Sequence, residues 1–369
     1  VLYLLPLPVE AHGVFRRAGR RTMREIVDRL RRERNLPRAQ MRDLLLCEDA
    51  TVVEYLHAQA RAVREEAYGK DVYIRALVEF TNYCKNDCLY CGIRRSNHRA
   101  QRYRLSQADI LACAQKGYAL GFRTVVLQGG EDPHFTDARL CAIVRDIRAL
   151  LPDVAITLSV GERPEESYRA LFAAGANRYL LRHETANAAH YAQLHPAELS
   201  LEHRMGCLKA LKAIGFQTGC GFMVGSPGQT VETLLDDLAF TAALNPEMVG
   251  LGPFIPHADT PFAAQPPGTV EQTLKLLSIV RLMLPRVLLP ATTALATLDP
   301  MGCEKGMLAG ANVVMPNLTP PGAREKYLLY DGKAVSGSED ADALEDLRAR
   351  MRAIGYQIVT DRGDYRPAP

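Results

Sequence analysis

The sequence carries almost no charge bias: 45 Lys and Arg against 42 Asp and Glu leave a formal net charge of +3, and no acidic or basic domain stands out. Arginine is enriched only in RRAGRRTMREIVDRLRRERNLPRAQMR, residues 16–42. There Ile26, Val27 and Leu30 recur at helical spacing and Glu25, Asp28 and Glu33 interleave with the arginines, so a solvated amphipathic helix is expected and nucleic acid is not. The apolar opening VLYLLPLPVE is too short and proline-rich to span a membrane and lacks the basic start of a signal peptide. Six of the nine cysteines (Cys47, Cys113, Cys141, Cys207, Cys220, Cys303) are scattered singly, which excludes a secreted disulfide framework and leads us to expect a reducing cytoplasm. No G-x-G-x-x-G follows the first strand-like run, and no low-complexity linker divides the chain.

What is present is a large apolar fraction, 47% against 24% charged, enough to bury a substantial core. Helical patterns at roughly 22–34, 37–46 and 49–67 come first. From there, β-rich runs at 72–80, 124–130, 154–161, 177–184, 217–225, 247–256, 287–297 and 311–318 alternate with amphipathic segments of helix length, several closing on glycine. Strand–helix alternation of this count predicts a complete (βα)8 TIM-type barrel rather than an open doubly wound sheet. We expect an N-terminal helical extension (1–71), the barrel (72–320) and a C-terminal cap with a helical tail (321–369).

In such a barrel chemistry gathers at the C-terminal strand ends. After the first barrel strand comes YCKNDCLYCG, with Cys84, Cys88 and Cys91 spaced C-x3-C-x2-C and no histidine nearby. Tetrahedral zinc needs a fourth ligand, and no second C-x2-C pair exists. A redox C-x-x-C leaves Cys84 unexplained. An iron–sulfur cube accepts thiolates on its irons, and three cysteines leave one iron open. Other strand ends add polar groups. Gly129 and Gly130 in LQGGEDP allow close backbone approach, and Ser159 shares a face with Thr157. In YLLRHE, Arg182 and Glu184 follow Leu180 on the inward face, while His183 faces the helices as a packed, hydrogen-bonded core histidine. Charges enter a core only when paired with each other or directed at a ligand. Thr292 and Thr293 end the seventh run, and Tyr327 and Tyr330 follow the eighth.

The cysteine trio, with Tyr90 before its last member, resembles the radical S-adenosylmethionine (SAM) enzymes. YCKNDCLYCGIRRSN, VVLQGGEDP, RYLLRHETAN, TGCGFMVGSPGQT, MVGLGPFIPHADTP, PATTALAT and ANVVMPNLTP, in order across residues 79–320, resemble within them the HydE family of FeFe-hydrogenase maturases, with biotin synthase and methylornithine synthase as relatives on the same scaffold. The resemblance implies one 4Fe–4S cluster held by Cys84, Cys88 and Cys91, with SAM bound at its open iron and cleaved to a 5'-deoxyadenosyl radical. It places Ser159, Glu184 and Arg204 at SAM, with Tyr90, Gly129 and Gly130 beside it, and Arg182, Thr292, Thr293 and Tyr327 around the substrate. That substrate would be a small cysteine-bound iron carbonyl cyanide complex, with partner maturases and an electron donor.

Some members of the family carry a second cysteine cluster near the C-terminus. KAVSGSEDADALEDL has no cysteine there, so a single cluster is expected. Biotin synthase needs a second cluster inside its barrel, whereas Cys113, Cys141 and Cys207 fall on helices. Two other readings stay open: a radical SAM mutase acting on an amino acid, and a non-catalytic iron–sulfur carrier that has no need of Ser159, Glu184 or Arg204.

Overall fold

The computed structural model describes residues 22–333 and 343–367. The apolar opening and most of the cysteine-free stretch after Lys333 lie outside the described residues. Three helices lead in: α1 (22–33), α2 (Arg38–Leu46) and α3 (Ala50–Tyr68). Asp49 starts α3 by accepting from the Thr51 and Val52 amides, which satisfies donors the first turn leaves open.

Strands β1 (Asp71–Ile74) and β2 (Ala76–Thr81) follow, then α4 (Gln107–Ala119), β3 (Thr124–Gly129), α5 (Asp137–Leu150), β4 (Ala155–Ser159), α6 (Glu165–Ala174) and β5 (Arg178–Leu180). The second half runs α7 (Ala188–Leu194), α8 (Leu201–Ile214), β6 (Gln217–Val224), α9 (Val231–Leu244), β7 (Met248–Pro253), α10 (Val270–Met283), α11 (Thr293–Leu298), α12 (Gly302–Leu308), β8 (Val313–Val314), α13 (Pro321–Arg324), α14 (Leu344–Ala353) and β9 (Gln357–Val359). Gly175 and Gly215 close α6 and α8 in the left-handed region, at φ 115° and 108°, where a side chain would be strained.

The chain is α/β and every pairing between its strands is parallel: β2-β3-β4-β5-β6-β7 form a six-stranded sheet and β8-β1-β9 a three-stranded one. Single parallel bridges at Met248–Leu288, Pro290–Val313 and Leu77–Asn317 carry the pairing from β7 past β8 and back to β2. Alternate residues of β1 and β2 (Val72, Ile74, Ala76, Val78, Phe80) join the main core. The period of a strand therefore turns Arg75, Leu77, Glu79 and Thr81 to the opposite face. No helix among the described residues is long and apolar enough to cross a membrane.

The structure corrects several expected strands. The 287–297 run is not a strand: Leu288 and Pro290 make only single bridges, and Thr293–Leu298 is helical. Pro290 has no amide to give a ladder, and its neighbours turn into a helix instead. The 72–80 run divides at Arg75 into two strands that serve different sheets, and the 177–184 run pairs regularly only over Arg178–Leu180. An extra strand, β9, follows α14 and pairs with β1.

Candidate active site

Between β2 and α4 lies a connection without helix or strand that carries the three cysteines. Its turns are held locally. The Asp87 carboxylate accepts from Arg94 Nε (2.8 Å), Ser96 N (3.0 Å) and Ser96 Oγ (2.6 Å), and Asn97 Nδ2 donates to the Gly92 carbonyl at 2.7 Å. Backbone bonds dock the loop on its neighbours, Lys85 N on Glu131 O, Leu89 N on Leu194 O and Gly92 N on Leu329 O.

Cys84, Cys88, Tyr90 and Cys91 line a cavity of about 290 Å³ together with Gly129, Gly130, Ser159, Arg182, Glu184, Arg204, Tyr327 and Tyr330. Elements far apart in the chain thus bring nearly all of the sequence-derived candidates to one place. Thr292 and Thr293 do not line it, although the next residue, Ala294, does. Thr292 Oγ1 is buried without a hydrogen-bond partner and stands close to Gly252, where an added Cβ would meet it at 2.9 Å. Leu180, Met223, Pro253, Phe254 and Ile255 supply an apolar wall.

Among the described residues, no group of three or more Cys, His, Asp and Glu is set to hold a single metal ion. A cluster does not require that convergence, because each thiolate binds a different iron. Burial pushes the Cys91 thiol up to about 12 and raises Cys88 and Cys84 as well, and the charge of neighbouring thiolates adds to the shift of Cys88 and Cys91. Three thiolates here therefore need cationic irons to hold them deprotonated, a donor set that fits a cube.

Arg182 Nη2 lies 2.9 Å from Glu184 Oε2, yet the angle is not that of a hydrogen bond, and Arg182 Nε, Arg182 Nη2 and Glu184 Oε2 all remain without a partner while buried. Glu184 sits at φ 64°, the left-handed region that a non-glycine residue enters only under constraint. The constraint is visible: Glu184 N donates to Gly221 O, Ala186 N donates to the buried Asp237 carboxylate, and Asn187 Nδ2 donates to Asp236. His183 packs against Phe222 and Phe240 and accepts from Gly221 N at its Nδ1.

Arg204, on α8, is buried. Its Nε donates to Glu162 and its Nη1 to the Arg182 carbonyl at 2.9 Å, while Nη2 makes no hydrogen bond among the described residues. Burial opposes its charge, but Tyr191, Glu162 and Tyr90 outweigh burial and hold the group well above its usual range. Glu162 is one of the residues sequence reasoning missed; His195 is another. His195 Nδ1 lies 3.0 Å from the Tyr191 carbonyl and Nε2 3.1 Å from Tyr90 Oη. A carbonyl only accepts, so Nδ1 carries the proton and Tyr90 donates to Nε2. Burial, with the Arg204 charge, holds His195 down to about 3.

At Gly130 an added Cβ would lie 2.2 Å from Tyr83 O and 2.7 Å from Cys84 Cβ. Gly130 thus lets the cysteine loop rest on the end of β3.

A radical SAM superfamily model matches residues 78–241. The [FeFe] hydrogenase maturase subunit HydE of Thermotoga maritima is 42% identical over 342 residues, 93% of this chain and 97% of that protein. The crystal structure of methylornithine synthase (PylB) superposes with a TM-score of 0.77 at 25% identity, over 90% of this chain and 97% of the other. That of HydG, a maturase of the [FeFe]-hydrogenase, gives a TM-score of 0.78 at 20% identity, over 91% and 76%, a likeness of fold.

Proposed function

The chain belongs to the radical SAM superfamily and to its HydE-like branch, and from that premise we propose that it matures FeFe-hydrogenase by acting on a small cysteine-bound iron carbonyl cyanide complex. The enzymes of this superfamily use a reduced 4Fe–4S cluster to cleave SAM into methionine and a 5'-deoxyadenosyl radical. The observation that carries the reading is the meeting of the three cysteines with Ser159, Arg182, Glu184 and Arg204 around one cavity.

Each side chain then has a task. Cys84, Cys88 and Cys91, which line the cavity, would hold three irons of the cluster and leave the fourth without a protein thiolate. The free Nη2 of Arg204 would meet the SAM carboxylate, since a guanidinium offers planar donors suited to it. Glu184 Oε2, which faces Arg182 across 2.9 Å but accepts no hydrogen bond, would accept from the SAM ammonium or ribose hydroxyls. Gly129, Gly130 and Ser159 would flank the amino-acid end, with Tyr90 beside it. Arg182, two of whose nitrogens make no hydrogen bond, would favour an anion in the cavity that it lines together with Tyr327, with Thr292 and Thr293 adjoining through Ala294. The apolar wall of Leu180, Met223, Pro253, Phe254 and Ile255 would limit water around the bound reactants.

The same reading takes the single bridges around Leu288 and Pro290 as closing a complete (βα)8 barrel over 72–320, with 1–71 as a helical extension and 321–369 as a cap. Partner maturases would deliver the substrate, and an electron donor would reduce the single cluster, in the cytoplasm.

The test is anaerobic. Protein reconstituted with iron and sulfide receives dithionite, SAM and the cysteine-bound iron dicarbonyl cyanide complex. Consumption of the complex, with the 5'-deoxyadenosyl group found in a sulfur adduct, supports maturation. SAM bound but never cleaved points to a carrier, and a rearranged amino acid from supplied lysine points to a mutase. Either outcome overturns the proposal. Arg204→Ala, with its cluster intact, should lose SAM binding.

A further inference from the structure

The cysteine loop is long for a connection without regular structure, and such loops are uncommon unless function or cross-ties hold them. One side chain supplies four of the ties. Arg102 Nη1 donates to the carbonyls of Asn82 (2.5 Å) and Ile93 (2.8 Å), and Nη2 donates to those of Arg94 (2.6 Å) and Asn97 (3.1 Å). A single planar guanidinium therefore grips the residue that opens the loop and the turn that follows its last cysteine. The buried Asn82 completes the clip: its Nδ2 donates to Gln101 O and Lys326 O, and its Oδ1 accepts from Tyr103 N, each at 2.8 Å.

The neighbouring arginines are matched by carboxylates, Arg94 by Asp87, Arg99 by Asp259 and Arg104 by Asp132. Arg102 has no carboxylate partner among the described residues, and four neutral carbonyls leave its positive charge uncompensated. The guanidinium sits on the carbonyls of Ile93 and Arg94, directly after the last cysteine's turn, so that charge lies beside the cysteine loop.

We propose that Arg102 is a positioning residue that holds the cysteine loop in its cluster-binding shape and, as an unneutralised cation beside it, favours the reduced cluster. Reduction transfers one electron to the cluster from an external low-potential donor, adding a negative charge and breaking no bond. A fixed cation stabilises the product of that step more than its starting state, so Arg102 raises the reduction potential. The inference rests on the cluster assignment and not on the substrate: a wild-type protein that assembles no cluster would fail that assignment, before Arg102 is at issue.

Two variants, Arg102→Gln and Arg102→Lys, are reconstituted anaerobically and titrated potentiometrically, with the reduced cluster followed by electron paramagnetic resonance. At the wild-type midpoint potential, the ratio of reduced to oxidised cluster in R102Q should fall about tenfold, the effect of one charge at near-surface effective dielectric. R102K keeps the charge but not the planar fork, so it should hold less iron and stay close to the wild-type midpoint. A loaded R102Q with the wild-type midpoint, or an R102K shifted as far as R102Q, overturns the electrostatic role. Limited proteolysis of the metal-free proteins reads positioning without any cluster. Folded R102Q should be cut faster between residues 84 and 101, and cutting at the wild-type rate overturns the clip.

Discussion

Lys333 donates its ammonium to the carboxylate of Glu79, a residue on β2, and to the Tyr327 carbonyl at 3.0 Å. Both charges are buried, and Asn317 Nδ2 completes the carboxylate at 2.9 Å. The pair ties the segment that carries Tyr327, Leu329 and Tyr330 across the mouth of the cavity. Removing one partner leaves a buried charge alone, which costs about 3–5 kcal/mol, whereas removing both leaves none. Lys333→Met should therefore lower unfolding stability by about 3 kcal/mol, and the double variant with Glu79→Gln should recover much of the loss. Denaturant titration of the metal-free proteins checks this; no recovery in the double variant would show that the ion pair is not what holds the segment.

His195 makes the fold sensitive to acid. Burial holds it down to about 3, whereas a histidine in the unfolded chain titrates near ~6.5. Between those values the unfolded state binds a proton that the folded state refuses, so the contribution of His195 is full above pH ~6.5 and is lost as pH falls toward 3. At pH 5 the loss amounts to about 2 kcal/mol. His195→Gln cannot titrate, and the fall in its unfolding free energy between pH 7 and pH 5 should be smaller than in the wild type by about that amount. Equal falls in the two proteins would refute the assignment.

Arg182 and Glu184 are neighbours at a distance of an ion pair but without its hydrogen bond. A structural pair would be satisfied; here Arg182 Nε, Arg182 Nη2 and Glu184 Oε2 make no hydrogen bond, and both residues line the cavity. Arg182→Gln should accordingly change the melting temperature by no more than about 2 °C. Its affinity for SAM should hold, while turnover of the anionic iron complex falls about 10–100-fold, the loss of one charge-assisted contact. A large fall in melting temperature with turnover preserved would instead make the pair structural.

What could be read in the sequence was local. The cysteine spacing stands within one local segment, Cys84 to Cys91, and the alternation expected of the strands put Ser159 and Arg182 on the side that lines the cavity. What could not be read depends on segments meeting across the fold. Glu162 is one acidic residue among many until Arg204 approaches it, Lys333 meets its carboxylate only in Glu79, 254 residues away, and His195 acquires its role from Tyr90 and Tyr191 together. Glu184 lines the cavity as alternation expects, but not on a regular strand: it makes a single bridge to Phe222, and tethering at Gly221 and Asp237 holds its backbone at φ 64°. The run after Val287 misleads because threonine and alanine suit either state, and Pro290 tips them away from a ladder.

At Gly130 the cluster loop packs tightly against the end of β3. The position has no side chain, and a methyl group there would overlap Tyr83 O at 2.2 Å and Cys84 Cβ at 2.7 Å, both too close for any real contact. One obstacle is backbone and the other the root of a ligand side chain, so neither can rotate aside. Gly130→Ala must push Cys84 away from Cys88 and Cys91, or push the end of β3 out of its register with β2. The loop has fewer ties than the sheet, so it should yield first. The expected result is a folded protein with nearly unchanged melting temperature that retains less than about half of the wild-type iron and sulfide, with Tyr83→Gly unable to restore it because the Tyr83 carbonyl and Cys84 Cβ stay in place. Full iron content in Gly130→Ala would mean that the loop can move without loss of the three-cysteine geometry, and that close packing against β3 is not what holds Cys84 in position.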